Sequence, residues 1–227
     1  ESPRYSLRDV LSGERGIDDV LLESPHGLTV LPGSSGVPEL TLLSSEDRVR
    51  LLTELETLDE GRFDTVLVDT AAGIGANAVF FACAAQEVLV VATPEPTSLA
   101  DAYAMIKVLS RRHGVDRVGL VLNQVAGEAE AVDIYQRLGA LTARFLPVVL
   151  ELVAWVPTDP RVHAAVMGQE PLLVAYPSAP ASRAIERLAE TLVMRPAPRA
   201  VSGRLQLFWR RLLATPAAAS AVASTSL

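Results

Sequence analysis

Short apolar runs alternate along the chain with longer segments in which apolar residues recur every three or four positions. The short runs are mostly continuously apolar, which is typical of parallel strands that are covered on both faces. The longer segments have the periodicity of helices that bury one face. The predicted strands are 28–31, 63–68, 87–92, 117–122 and 150–156, and the predicted helices are 45–59, 77–85, 98–111, 129–144, 160–167 and 180–194.

Strands that alternate with helices of this length imply right-handed crossovers, and therefore an α/β class with a doubly wound, mostly parallel sheet. We expect this domain to cover residues 1–194. Ser98 and Asp101 have the spacing of a capping box, which would start one of the helices. Residues 195–203 contain two prolines and a glycine and are predicted to be a linker, and residues 214–227 are of low complexity and are predicted to be disordered.

Composition and charge narrow the functional classes. The chain has 227 residues, of which 49% are hydrophobic, so it can bury one sizeable core. No apolar run approaches the roughly 18 residues of a membrane span, and a single cysteine, Cys83, fits a reducing cytosol. Residues 195–227 hold five arginines and no acid, whereas the rest of the chain has 15 basic and 27 acidic residues. The acidic body argues against direct nucleic-acid binding, and the basic tail suggests a separate role.

The basic tail contains one amphipathic segment, 204–213. As a helix it would place large apolar side chains on one stripe and arginines around the other side. Such a helix would bind an anionic membrane surface, or it would dock back on the domain, and the sequence leaves both open. The stripe consists of Leu205, Phe208, Trp209, Leu212 and Leu213, and the arginines are Arg204, Arg210 and Arg211.

The stretch VLVDTAAGIG, residues 66–75, places one carboxylate, Asp69, directly after a predicted strand. Open α/β sheets bind ligands beyond the carboxyl ends of their strands, and a carboxylate there suits Mg²⁺, directly or through a water. The small residues after Asp69 would let backbone N–H groups approach a phosphate, and Gly73 can adopt backbone conformations that other residues avoid. The alternative is that Asp69 or Thr70 begins the helix predicted at 77.

Several segments resemble the MinD/ParA group of deviant P-loop ATPases, whose switch II segment is similar to VLVDTAAGI. Further segments resemble the branch of this group that sets flagellar number and placement, known as FlhG, FleN or YlxH. These are PRYSLRDVLSGER (3–15), VLPGSSGVPEL (30–40), TPEPTSLADAYAMIKVL (93–109) and VPTDPRVHAAVMGQEPLL (156–173). The resemblance implies ATP and Mg²⁺ as cofactors, a homodimer in the ATP-bound state, and flagellar assembly or regulatory proteins as partners. It also implies a cytoplasmic protein that associates peripherally with the inner face of the cytoplasmic membrane through a C-terminal helix.

The resemblance implies roles for individual residues. Asp69 would be the switch II carboxylate near Mg²⁺, and Gly73 would face the γ-phosphate. Asn123, which ends the strand RVGLVLN, would read adenine, because its amide offers both a donor and an acceptor; alternatively, it caps the loop that follows. Pro157 and Asp159 would form another wall of the base and ribose site; alternatively, they only start a helix.

One part of the family's pattern is absent from the sequence. No G-x-x-x-x-G-K-[ST] motif occurs, and the sole lysine, Lys107, lies within a predicted helix. By the resemblance, the phosphate loop and the aspartates that position Mg²⁺ and the attacking water would belong to a segment ahead of residue 1. The sheet would then lack its first strands and expose apolar surface. Because loop lysines supply much of the charge neutralisation in phosphoryl transfer, we expect negligible ATPase activity from these 227 residues.

Two functions remain open at this point. The first is the C-terminal part of a MinD-like ATPase that regulates flagellar number or placement through ATP-dependent dimerisation and membrane association. The second is a pseudo-ATPase adaptor that binds partners or membrane without hydrolysis. A Rossmann oxidoreductase is disfavoured because no G-x-G-x-x-G occurs, and the three histidines have no metal-ligand spacing.

Overall fold

A computed structural model of the chain describes residues 4–33, 63–70 and 72–195, together with residues 46, 50, 53, 54 and 58. These residues form two compact units. The first contains the described residues up to 70 together with 75–84, and the second contains 72–74 and 85–195. The linker beyond Arg195, the amphipathic segment 204–213 and the segment 214–227 lie outside the described residues.

The first unit begins with two short helices and a hairpin. Helix α1 starts at a capping box in which the Ser6 backbone N–H donates to the Asp9 carboxylate over 2.7 Å. This hydrogen bond from Ser6 is the main reason why the pKa of Asp9 lies below its usual value. The predicted strand 28–31 is shorter than expected and pairs antiparallel with its neighbour rather than joining a parallel sheet. The elements are α1 (Leu7–Leu11), α2 (Ile17–Val20), β1 (Leu22–Glu23) and β2 (Thr29–Val30).

Arg50 and Glu54, four residues apart, bind the C-terminus of α1 and the N-terminus of α2. Arg50 donates to the carbonyl oxygen of Leu11 over 3.3 Å, and Glu54 accepts from the backbone N–H of Ile17 over 2.9 Å. The signs suit the partial charges of the two helix ends, negative at a C-terminus and positive at an N-terminus. Arg50 and Glu54 are helical, as predicted for 45–59, although most of that segment lies outside the described residues.

The predicted strand 63–68 is wrong. Residues 64–70 are exposed and form no strand, and Leu67 is 81% exposed. A continuous apolar run indicates a buried strand only if neighbouring strands and helices cover it. Among the described residues, no strand pairs with this run. The helix predicted over 77–85 follows as α3 (Ala76–Ala84).

The second unit contains a parallel sheet of three strands, which lie side by side in the order in which they occur along the chain and are connected by helices. This arrangement confirms the predicted α/β class. The last helix, Pro180–Met194, has the predicted bounds, whereas the four-residue helix Leu172–Ala175 was not predicted. The other helices and strands of this unit differ from the prediction by at most three residues at either end. The elements are β3 (Leu89–Ala92), α4 (Pro96–His113), β4 (Arg117–Val125), α5 (Glu128–Phe145), β5 (Val149–Pro157), α6 (Pro160–Gly168), α7 (Leu172–Ala175) and α8 (Pro180–Met194).

The core of the second unit lies between α4, α5 and one face of the sheet. Ile106 of α4 and Leu120 and Leu122 of β4 are each 0% exposed within it. On β5, Trp155 packs against this core, whereas the adjacent Val156 packs against α8. Because successive strand residues point to opposite faces, helices cover both faces of β5.

Two local features fix the positions of α4 and β4. The predicted capping box at Ser98 is wrong, because α4 begins two residues earlier at Pro96, whose ring presets the backbone for a first helical turn. The hydroxyl of Ser98 instead accepts from the backbone N–H of Thr93 over 3.0 Å. In β4, a Cβ atom on Gly119 would lie 2.7 Å from Leu89 Cδ2 and 2.8 Å from Val153 Cγ2, so the strand tolerates only glycine there without rearrangement.

Apolar side chains remain uncovered on the sheet. Val91 of β3 is 62% exposed, and within the described residues β3 pairs on one edge only. None of the helices in the described part of the chain combines the length and the apolarity that a bilayer crossing requires.

Candidate functional site

The structure places Asn123 and Pro157 side by side at the carboxyl edge of the sheet in the second unit. In the parallel register of β4 and β5, Asn123 lies opposite Val156 and Val125 lies opposite Pro157. Asp159 follows two residues after Pro157. Three of the predicted site residues therefore gather where open α/β sheets bind ligands.

The end of β4 is distorted next to Asn123. Gln124 has a φ of 60°, in the left-handed region that few non-glycine residues adopt, and the register with β5 shifts at this point. The side-chain oxygen of Asn123 accepts from the Gln124 backbone N–H over 2.9 Å, so Asn123 does cap its loop, as the alternative interpretation predicted. Its NH₂ group makes no hydrogen bond within the described residues, so both of its donors are unused. The sequence did not indicate a left-handed conformation at Gln124, because glutamine rarely adopts it.

Asp159 is held by two helix N-termini. One carboxylate oxygen accepts from the Arg161 backbone N–H at the start of α6 over 3.0 Å, and the other accepts from the Ala181 backbone N–H at the start of α8 over 3.3 Å. The Asp159 side chain is 3% exposed. Asp159 therefore starts a helix, as the alternative interpretation predicted. It also caps a second helix, which the sequence did not predict. The proposed contact of Asp159 with a ribose would have to use the lone pairs that remain.

Asp69 and Gly73 have different surroundings. Asp69 lies in the first unit, is exposed and makes no hydrogen bond or ion pair within the described residues. It does not cap α3, which begins seven residues later at Ala76. Gly73 has a φ of 87°, and no atom lies within 4 Å of the position that a Cβ would occupy there. The glycine therefore adopts a conformation that other residues avoid, as predicted.

The described residues offer more to the base of a nucleotide than to its triphosphate. The Asn123 amide has unused donors for a base, and a lone exposed carboxylate such as Asp69 is compatible with Mg²⁺, which often keeps most of its waters. The described part of the chain holds no cluster of three or more residues suited to metal binding. Lys107, the sole lysine, is exposed within α4 and lies in no glycine loop, so it does not form a lysine-bearing phosphate loop.

A group of ion pairs at the opposite, amino edge of the sheet was missed by the sequence analysis. Arg195, the first residue of the predicted linker, donates to Glu151 over 2.6 Å and lies 3.6 Å from Glu87. Arg117 lies 3.8 Å from the other oxygen of Glu151. The Arg195 side chain is only 19% exposed, so the end of α8 is fixed to the sheet. A prolyl segment follows Arg195 in the sequence, and this pattern alone predicted a linker.

The curated relatives of this chain include an antiactivator and a flagellum site-determining protein, whereas no family model matches the chain. The chain is 38% identical over 221 residues to the antiactivator FleN of Pseudomonas aeruginosa, and the match covers 97% of the chain and 79% of FleN. It is 34% identical over 133 residues to the flagellum site-determining protein YlxH of Helicobacter pylori, which covers 59% of the chain and 44% of that protein.

Among solved structures, the fold is similar to the septum site-determining protein MinD of Pyrococcus horikoshii, which was solved in complex with Mg-ADP. The TM-score is 0.61 at 20% identity, and the match covers 86% of the chain and 75% of that protein. At this identity the likeness shows the shared fold.

Proposed function

We propose, since the chain belongs to the MinD/ParA-type flagellar placement regulators, that it forms part of a nucleotide-switched regulator of flagellar number or placement. The observation that carries the proposal is the 38% identity to an antiactivator across 97% of the chain. An antiactivator acts on another regulator, so the partner proposed for this chain is a flagellar regulatory or assembly protein.

On the nucleotide side, Asn123 would contact the adenine of ATP, and Pro157 would form an apolar wall beside it. Their position on adjacent strand ends supports this assignment. Asp159 would act mainly by fixing the loop that carries Pro157, because both of its oxygens are already engaged. Asp69 would hold Mg²⁺ through a water, and Gly73 would let the backbone approach the γ-phosphate. Bound ATP would then favour a homodimer.

On the membrane side, the segment 204–213 would anchor the protein to anionic lipid from the cytoplasmic side. Its five large apolar side chains, partly buried at about 1 kcal/mol each, would contribute about 5 kcal/mol. Its three arginines near anionic lipid would add up to about 3 kcal/mol. Folding the helix offsets several kcal/mol of this, so one copy binds weakly and two copies in a dimer bind far more tightly. Membrane residence would therefore report the nucleotide state.

A pseudo-ATPase adaptor is the second candidate. It is favoured by one observation, namely that Asp69 is exposed and makes no hydrogen bond or ion pair within the described residues. Such an adaptor would keep the partner and membrane contacts and would not respond to nucleotide.

Expression of the chain in wild-type Pseudomonas aeruginosa tests the regulatory role. By competing with the host's FleN for its partner, the chain should change the number or the position of flagella per cell, counted by electron microscopy against an empty vector. A Gly119→Asp variant, which places a charge in the packed sheet, serves as the unfolded control. An unchanged flagellar distribution at a chain level comparable to that of FleN would contradict the proposal.

A further inference from the structure

The amino edge of the sheet in the second unit collects positive charge. In a parallel sheet with helical crossovers, the helices run antiparallel to the strands, so the C-termini of α4 and α5 lie at this edge. The ion pairs of Arg195 place the end of α8 there as well. The acids at this edge are Glu87, Asp116 and Glu151, of which Glu87 and Glu151 are paired with arginines. The arginines are Arg111, Arg112, Arg117, Arg144 and Arg195. Four of these five arginines belong to residues 1–194, which hold 15 basic and 27 acidic residues, so the excess of arginine at this edge is unusual for the body of the chain.

The same edge exposes large apolar side chains. Phe145, at the end of α5, is 45% exposed, and the guanidinium carbon of Arg144 lies 5.2 Å from its ring centroid. Arg111 donates to the carbonyl oxygen of Phe145 over 2.6 Å, so two arginines flank this residue. Val149 at the start of β5 is 58% exposed, and Met194 at the end of α8 is 85% exposed. Apolar side chains interleaved with arginines are the chemistry of a membrane interface, where the apolar parts insert and the guanidinium groups contact lipid phosphates.

The position of Arg195 links this edge to the amphipathic segment. That segment begins at Arg204, nine residues beyond Arg195. A chain of this length spans at most about 31 Å. A segment 204–213 lying on a bilayer therefore keeps Arg195 within about 31 Å of the same lipid surface, so the amino edge can reach it.

We propose that the amino edge of the sheet, defined by Arg112, Arg144, Phe145, Val149 and Met194, is a second contact with an anionic lipid bilayer. The contact orients the domain with its amino edge on the membrane and with Asn123 and Pro157 facing the cytoplasm. The proposal shares its lipid surface with the proposed function but requires neither nucleotide nor dimerisation.

Vesicle binding by the full chain tests the contact. Arg112→Gln/Arg144→Gln removes two exposed charges, each of which contributes about 1 kcal/mol near anionic lipid, so binding to vesicles of equal parts phosphatidylglycerol and phosphatidylcholine should weaken roughly thirtyfold. The matched control is Arg183→Gln/Arg187→Gln, which removes two exposed arginines of α8 that form no ion pair within the described residues and lie away from the edge. The control should bind like the wild type. Far-ultraviolet circular dichroism checks that both variants are folded.

Three results would overturn the proposal: unchanged binding of the edge variant, equal weakening of the edge and control variants, or no binding by the wild type. Phe208→Asp, in the amphipathic segment, separates this proposal from the proposed function. If only Phe208→Asp weakens binding, the segment is the sole anchor and the edge contact fails. If only the edge variant weakens binding, the edge contact stands and the anchor role of the segment fails.

An environment-sensitive fluorophore gives the orientation directly. Cys83 is the sole cysteine, so Cys83→Ser/Met194→Cys carries one label at the amino edge, and Cys83→Ser/Glu128→Cys carries one at the carboxyl edge. The label at 194 should shift to the blue on anionic vesicles, whereas the label at 128 should not. The opposite pattern, or equal shifts, would overturn the proposed orientation.

Discussion

Substitution of Asp159 tests whether this residue is mainly a structural connection between two helices. The carboxylate accepts backbone hydrogen bonds at the starts of α6 and α8, and it lies almost completely buried. In Asp159→Ala, both helix N-termini lose an acceptor. Ala181 is 0% exposed, so water cannot readily replace the oxygen there.

The expected loss follows from the two caps. Replacing an N-cap acceptor by alanine costs about 0.5–2 kcal/mol, and Asp159 serves two helices, so Asp159→Ala should lower the free energy of unfolding by about 1–4 kcal/mol. Asp159→Asn keeps one acceptor oxygen and should lose about half as much. The Arg161 guanidinium is 3.8 Å away on a side chain that is 54% exposed, so Arg161→Ala should cost no more than about 0.5 kcal/mol.

Urea unfolding followed by Trp155 fluorescence measures these losses, because Trp155 packs against the core of the second unit. The measurement uses a Trp209→Phe background, since Trp209 is the only other tryptophan. A loss below about 1 kcal/mol for Asp159→Ala, or an Asn variant as unstable as the Ala variant, would refute the double-cap argument. The ribose contact implied by the family resemblance would then be the better explanation of Asp159.

Three other expectations concern packing, nucleotide and lipid. Gly119→Ala should lower the free energy of unfolding by about 1–3 kcal/mol in the same assay, because its Cβ would collide with Leu89 and Val153; an unchanged midpoint would show that the strands yield easily. Calorimetric titration of the 227 residues with Mg·ATP up to millimolar concentration should give no saturable heat, and micromolar binding that survives Asp69→Ala would contradict the assigned role of Asp69. The peptide 202–214 should gain helical circular dichroism on anionic but not on neutral vesicles, and Phe208→Asp should remove the gain; a peptide that ignores anionic vesicles would favour a helix that docks on the domain.

The second unit was predictable from the sequence because its signals are local. β4 and β5 are apolar runs with neighbouring strands, and the apolar periodicity of α5 and α8 appears directly as their buried faces. The exposed run around Leu67 shows the limit of this reasoning, since its amino acids are those of a buried strand. Burial depends on what lies beside a segment, and no local pattern reports that.

The candidate site was predictable in position but not in its contacts. The placement of Asn123 and Pro157 follows from the ends of two predicted parallel strands. The link from Asp159 to Ala181 joins residues 22 positions apart and depends on how α8 packs on β5. The left-handed conformation of Gln124 is a product of the local register shift, which composition does not encode.

The exposed run Val66-Leu67-Val68 also affects how the protein behaves at high concentration. Three consecutive apolar residues with high strand propensity are the kind of segment that seeds aggregation when it is open to solvent. Asp64 and Asp69 stand on either side of the run, and we expect them to oppose such stacking, because it would bring carboxylates of neighbouring molecules together. A substitution of Asp69 therefore removes a solubility device as well as a candidate ligand. Yields and soluble fractions of Asp69 variants will fall for reasons that have nothing to do with nucleotide.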